Sequence, residues 1–200
     1  MDHTLRILLP VYLLLIFVIA VGGRSYLFYK RTGINPYKLG KSGNAHDFVG
    51  ASFRLVSLIV LAAVLIYSFV PGIYYYLAPF EWLEADWLRI AGIALMFVAL
   101  IWISIAQTQM GRSWRIGIDK DSKTELKSKG LFSISRNPIF LGMRLVLFGL
   151  FFAIPNALTL LSLILADVLM QIQVRLEEEH LLRLHGEEYG KYLKNVRRWI

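Results

Sequence analysis

From residue 139 to residue 174 the chain carries only two charged side chains, Arg144 and Asp167, and the run is interrupted at Ile154-Pro155-Asn156. It is too long for one membrane crossing, since about 20 residues rising 1.5 Å each traverse a hydrocarbon core. Pro155 has no backbone donor and Asn156 favours turns, so the run predicts two antiparallel helices, about 139–153 and 157–174, joined by a tight turn. A hairpin returns its two flanks to one membrane face. Those flanks are polar: Ser135-Arg136-Asn137-Pro138 enters the run, and Arg175-Leu176-Glu177-Glu178-Glu179-His180 leaves it.

Three further apolar stretches, about 5–21, 49–70 and 88–106, each approach the length of a span. With 56% hydrophobic and 18% charged residues, lipid is the expected solvent. The expected fold is therefore all-α and polytopic: five transmembrane helices including the C-terminal hairpin, then an amphipathic C-terminal helix with a break near Gly186. Residues 1–106 form a three-span region, and 107–200 form the core that carries chemistry, within one integrated domain. A second reading makes the first stretch a signal peptide, because Arg6 precedes an apolar segment and Ala20, Gly22 and Gly23 are small.

Charge in the connections gives an orientation. Arg24, Lys30, Arg31, Lys38 and Lys41 follow the first stretch, whereas Glu81, Glu84 and Asp86 follow the second. The third connection is again basic, the hairpin turn is uncharged, and the tail ends in Lys191, Lys194, Arg197 and Arg198. This alternation requires an odd number of spans and puts the N-terminus outside and the C-terminus in the cytoplasm. The net charge of +8 sits in these connections, where a membrane surface selects it, which disfavours a nucleic-acid partner. Tyr74, Tyr75, Tyr76, Trp82 and Trp87 read as an interfacial aromatic belt.

Conventional catalytic signals are absent from the sequence. There is no cysteine, no HExxH and no pair of histidines four apart, so no metal site is expected. Phosphate-binding glycine loops and GxSxG are also missing. The two polar flanks remain. Ser135 or Asn137 could simply cap a helix that has Pro138 at its first position, and the three glutamates could be a solvated helix face.

Residues from about 111 to 198 resemble the isoprenylcysteine carboxyl methyltransferase and phospholipid methyltransferase superfamily. The matching elements are Gly130-Leu131-Phe132, Arg136-Asn137-Pro138-Ile139-Phe140-Leu141-Gly142, Glu177-Glu178 and His185-Gly186-Glu187-Glu188-Tyr189-Gly190-Lys191-Tyr192, in the family's order. The resemblance implies S-adenosylmethionine as cofactor, held by Phe132, Asn137, Pro138, Ile139, Phe140 and Glu177, with Thr124, Glu125, Leu126 and Lys127 adding contacts. It implies a lipid-like or prenylated acceptor entering from the bilayer: the carboxylate of a prenylated cysteine or similar thioether, with phospholipid-ethanolamine N-methylation as the alternative. Arg175 and Glu178 are the candidate catalytic residues, Arg175 to attract an anionic acceptor, although Gln173 occupies the family's arginine position. Asn137 replaces the motif histidine and cannot titrate; Phe132 and Phe140 replace tyrosines. A membrane reductase or a non-catalytic scaffold are the readings from other classes.

Arg144 and Asp167 lie eleven residues before and twelve after Pro155. In an antiparallel hairpin both fall about 16–18 Å from the turn, where isolated charges are costly, so they are expected to pair or to face a polar cavity.

Overall fold

A computed structural model describes residues 2–36, 45–114 and 125–200. The described residues form helices and short turns: α1 (Asp2–Ile16), a π-helical stretch (Phe17–Gly23), α2 (Arg24–Thr32), α3 (Ala45–Phe69), the short α4 (Pro71–Tyr74), α5 (Asp86–Met110), α6 (Pro138–Ala153), α7 (Ala157–His185) and α8 (Glu187–Asn195). Four helices are long and apolar enough to cross a membrane, Asp2–Thr32, Ala45–Phe69, Asp86–Met110 and Ala157–His185, and Pro138–Ala153 is a shorter apolar fifth. The fold is all-α and polytopic, as composition and hairpin predict.

Two boundaries differ from expectation. The first helix does not stop near Val21 but continues through the π stretch to Thr32. There Gln107 donates to the Ala20 carbonyl at 2.9 Å, satisfying backbone that the altered winding displaces. The second difference lies in α7, which runs unbroken past Val174 to His185. At 1.5 Å per residue its 29 residues reach about 43 Å, beyond a hydrocarbon core of about 30 Å, so the segment bearing the glutamates projects out of the apolar slab. The expected break at Gly186 is present, with φ +55° separating α7 from α8.

The hairpin turn is specified locally. Asn156 Oδ1 accepts from the Thr159 backbone N–H at 2.9 Å while Thr159 Oγ1 accepts from the Asn156 N–H at 3.2 Å, a reciprocal cap worth about 1 kcal/mol. The loop before α5 is stitched to it by bonds from Phe80 to the Pro155 carbonyl and from Ala157 to the Ala78 carbonyl.

α5 and α6 make the closest helix pair. A Cβ at Gly92 would lie 2.5 Å from the Gly149 carbonyl oxygen, and one at Gly149 would meet the Gly92 carbonyl at the same distance. Only hydrogen at both positions permits this approach. α1 runs parallel to α5, with Tyr12 donating to the Met96 carbonyl at 2.8 Å, and its Leu5, Leu9 and Tyr12 are core residues at 1% exposure. α3 packs on α7 through Val49, Val56, Ala166, Leu169 and Met170. The N-terminus, the loop before α5 and the hairpin turn consequently share one end of the bundle, and the C-terminal residues lie at the other.

Candidate functional site

The two polar flanks of the hairpin meet. Arg136 Nε lies 3.0 Å from Glu178 Oε1, and Arg198 grips the same carboxylate with Nε at 3.2 and 3.1 Å and Nη2 at 2.6 Å. The second amine of Arg136, Nη1, donates to the carbonyls of Leu193 and Val196 at 2.9 and 2.5 Å, and its backbone N–H to that of Arg197 at 3.0 Å. The chain after α8 is thereby strapped across the start of α6. The hydrogen-bonded Glu178 carboxylate holds the Arg198 guanidinium above its ordinary pKa.

Asn137 sits inside this strap. It is the residue before α6, with Pro138 in the first turn, but its side chain makes no capping bond. Its amide donates instead to the Arg198 carbonyl at 3.3 Å, beside Ser135, whose hydroxyl donates to the same oxygen at 3.2 Å. Trp102 on α5 donates to the Pro138 carbonyl at 2.8 Å, which fixes the origin of α6. The simple helix-cap reading of Asn137 therefore fails.

The glutamates split by environment. Glu178 is buried in the strap, Glu179 is exposed, and Glu177 is half-buried, accepting from Gln173 Nε2 at 2.9 Å. Phe140 on α6 and Leu176 on α7 each pack against the cluster that joins α3 to α7. Ile139 faces the other side of α6, toward the main core. Phe132, 7% exposed, is held by its own carbonyl, which accepts from the Tyr192 hydroxyl at 2.5 Å. Burial pushes the Tyr192 phenol up to about 12 and raises that of Tyr189, so both remain neutral, and Tyr192 keeps the proton it donates.

Gly130, which precedes Phe132, adopts φ +65° and abuts Gln109 on α5, whose Oε1 accepts from the Leu131 N–H at 2.8 Å. A side chain at Gly130 would lie 2.5 Å from that amide and adopt a strained backbone.

The remaining predicted residues stay apart from the strap. Glu125 and Lys127 pair with each other at 2.6 Å, and Ser113 donates to the Glu125 carbonyl; Leu126 is half-buried between them. Thr124 lies outside the described residues. Arg175 is exposed and donates to Gln171, one turn back on its own helix. The residues that sequence reasoning left without a role are Arg198, Tyr192, Gln173 and His185. His185, the last residue of α7, has a buried Nε2 without a hydrogen-bond partner. The only sequence signal for the first two was the aromatic and basic ending of the family pattern.

This arrangement defines a class: a polytopic helical membrane protein with a polar site at one end, built where a hairpin's flanks converge. A family model described as phospholipid methyltransferase matches residues 87–188, more than half of the chain. The chain belongs to the phospholipid methyltransferase family, a group of membrane methyltransferases acting on lipid. The matched segment contains α5 from its second residue on, the hairpin and Glu177-Glu178. No curated protein matches the chain.

Proposed function

We propose that the protein transfers a methyl group from S-adenosylmethionine to a lipid-like acceptor reaching the site from the bilayer. The observation that supports this most strongly is the 3.0 Å bond from Arg136 to Glu178, which places the Asn137-Pro138 helix start against the Glu177-Glu178 segment inside the family-matched region.

The residues present fit the cofactor by their chemistry. Glu177 offers a half-buried carboxylate, steadied by Gln173, for an ammonium group, and the unpartnered His185 nitrogen offers a further polar contact. Phe132 and Phe140 provide aromatic surface, and Asn137 and Pro138 form the adjoining wall at the start of α6, which Ile139 backs from the core side. Bound S-adenosylmethionine supplies a sulfonium-activated methyl group, so no strong acid is required of the protein. The chain contributes alignment and exclusion of water. Glu178, with both oxygens held by arginines, organises this wall rather than exchanging protons.

That commitment of Glu178 favours an acceptor that attacks without losing a proton, such as the carboxylate of a prenylated cysteine or a similar isoprenoid thioether. The family's description favours a second reading, the amine of phosphatidylethanolamine. Arg175, exposed beyond the apolar part of α7, is placed to attract an anionic acceptor. In this reading residues 107–200 carry the chemistry, 1–106 support it, and the strap faces the cytosol with the N-terminus outside, following the basic connections.

Calorimetry in detergent tests the cofactor: S-adenosylhomocysteine should bind, and Glu177→Ala should weaken it about tenfold. Well-folded protein that binds none would sink the proposal. Labelled-methyl transfer to prenylcysteine analogues and to phosphatidylethanolamine then separates the two acceptors.

A further inference from the structure

The end of the bundle away from the strap holds a second concentration of polar groups. Asp2 and Arg6 come from α1, Tyr67 and Ser68 from α3, Tyr74 from α4, and Arg89 from α5. Arg89, 8% exposed, meets Asp2 at 2.6 Å and Glu84 at 3.1 Å, so its terminal nitrogens engage both nearby carboxylates. Arg6 lies over the Tyr67 ring, 5.9 Å from its centroid, and among the described residues has no carboxylate within ion-pair distance. The Tyr67 and Tyr74 rings meet edge to face at 5.0 Å.

Five polar atoms of this group are buried without a hydrogen-bond partner: the hydroxyls of Tyr67, Ser68 and Tyr74, and Nε of Arg6 and of Arg89. Tyr67 and Ser68 are only 5% and 9% exposed. Tyr74 lies beside the Asn156 side chain, its nearest polar neighbour, which also donates to the Ile154 carbonyl and accepts from the Thr159 N–H. Native folds pair nearly all such buried groups, so five together point to a missing partner. All five can donate, Arg89 spans both nearby carboxylates, and Arg6 has no carboxylate paired to it directly, although the two arginines only balance Asp2 and Glu84 in charge. The partner that answers all three conditions is an anion with several acceptor oxygens.

We propose that this cluster binds the phosphate group of a phospholipid headgroup. The lipid source follows from position: Tyr75, Tyr76, Trp82 and Trp87, each at least 70% exposed, mark a membrane interface at this end of the bundle. The site is separated from the strap by the length of α6, about 24 Å for its 16 residues, and is independent of methyl transfer.

The test titrates the purified full chain, in non-ionic detergent, with diheptanoyl phosphatidylglycerol, diheptanoylglycerol or inorganic phosphate. Thermal unfolding and native mass spectrometry report stabilisation and retained lipid. Phosphatidylglycerol should raise Tm and remain bound, and diheptanoylglycerol should do neither. Arg6→Gln should weaken the phospholipid about tenfold, and Tyr67→Phe, which keeps the ring beneath Arg6, should weaken it in the same direction. The tyrosine variant decides the matter if Arg6→Gln does not fold. Equal stabilisation by inorganic phosphate would overturn the lipid source. Equal response to diheptanoylglycerol, or unchanged binding in the folded variants, would overturn the site.

Discussion

The Arg144 guanidinium lies 3.7 Å above the Trp199 ring while its Nη2 meets Asp167 at 2.5 Å. The pairing expected from equal depth in the hairpin is present, and the chain's last residues complete it. Asp167→Asn should destabilise the protein by about 2–3 kcal/mol, because it leaves a largely buried guanidinium without its counter-charge. Trp199→Ala should cost about 1–2 kcal/mol, read by thermal unfolding in detergent. If Asp167→Asn alters neither stability nor activity, the pair braces nothing.

Gly142, the glycine of the family motif, is a packing position. A Cβ there would collide with Ile103 and come within 3.2 Å of Trp102. Gly142→Ala should therefore cost about 1–3 kcal/mol and be partly rescued by Ile103→Ala, which removes the colliding Cγ1. Gly149→Ala meets the Gly92 backbone, and no neighbouring truncation should rescue it. A double-mutant cycle distinguishes the two cases.

Adjacent glutamates should separate cleanly. Glu178→Ala strands Arg136 and Arg198 and should lower stability by about 3 kcal/mol, with activity falling as a consequence. Glu177→Ala should leave the unfolding midpoint nearly unchanged while weakening S-adenosylhomocysteine. Equal loss of stability in both variants would contradict this division.

Tyr192→Phe removes the donor to the Phe132 carbonyl. With a buried acceptor left unmatched, a loss of about 1–2 kcal/mol is expected, together with faster proteolysis near Phe132. Unchanged cleavage there would mean that the bond does not position this turn.

The hairpin and the convergence of its flanks were legible because a long apolar run broken by Pro155-Asn156 has few solutions in lipid. The extension of α7 was less legible: polarity changes after Val174, yet leucines and glutamates both propagate a helix, so leaving the hydrocarbon does not end it. Asn137 resembled a cap because local sequence cannot reveal an acceptor sixty-one positions away in the Arg198 backbone. Non-local partners also hid the division between Glu177 and Glu178, since Arg136 and Arg198 lie forty-two and twenty positions from Glu178. The two glutamates' neighbours in sequence are alike, whereas their neighbours in space are Gln173 for one and two arginines for the other.

The strap also imposes an order of construction. Synthesis runs from N- to C-terminus, so the start of α6 is made long before the carbonyls of Val196 to Arg198 that Arg136, Ser135 and Asn137 engage. The α6–α7 hairpin can be delivered to the bilayer while those groups still face water. The site closes only once residues 196–198 have emerged, and a nascent chain that has not reached them carries the motif without the architecture.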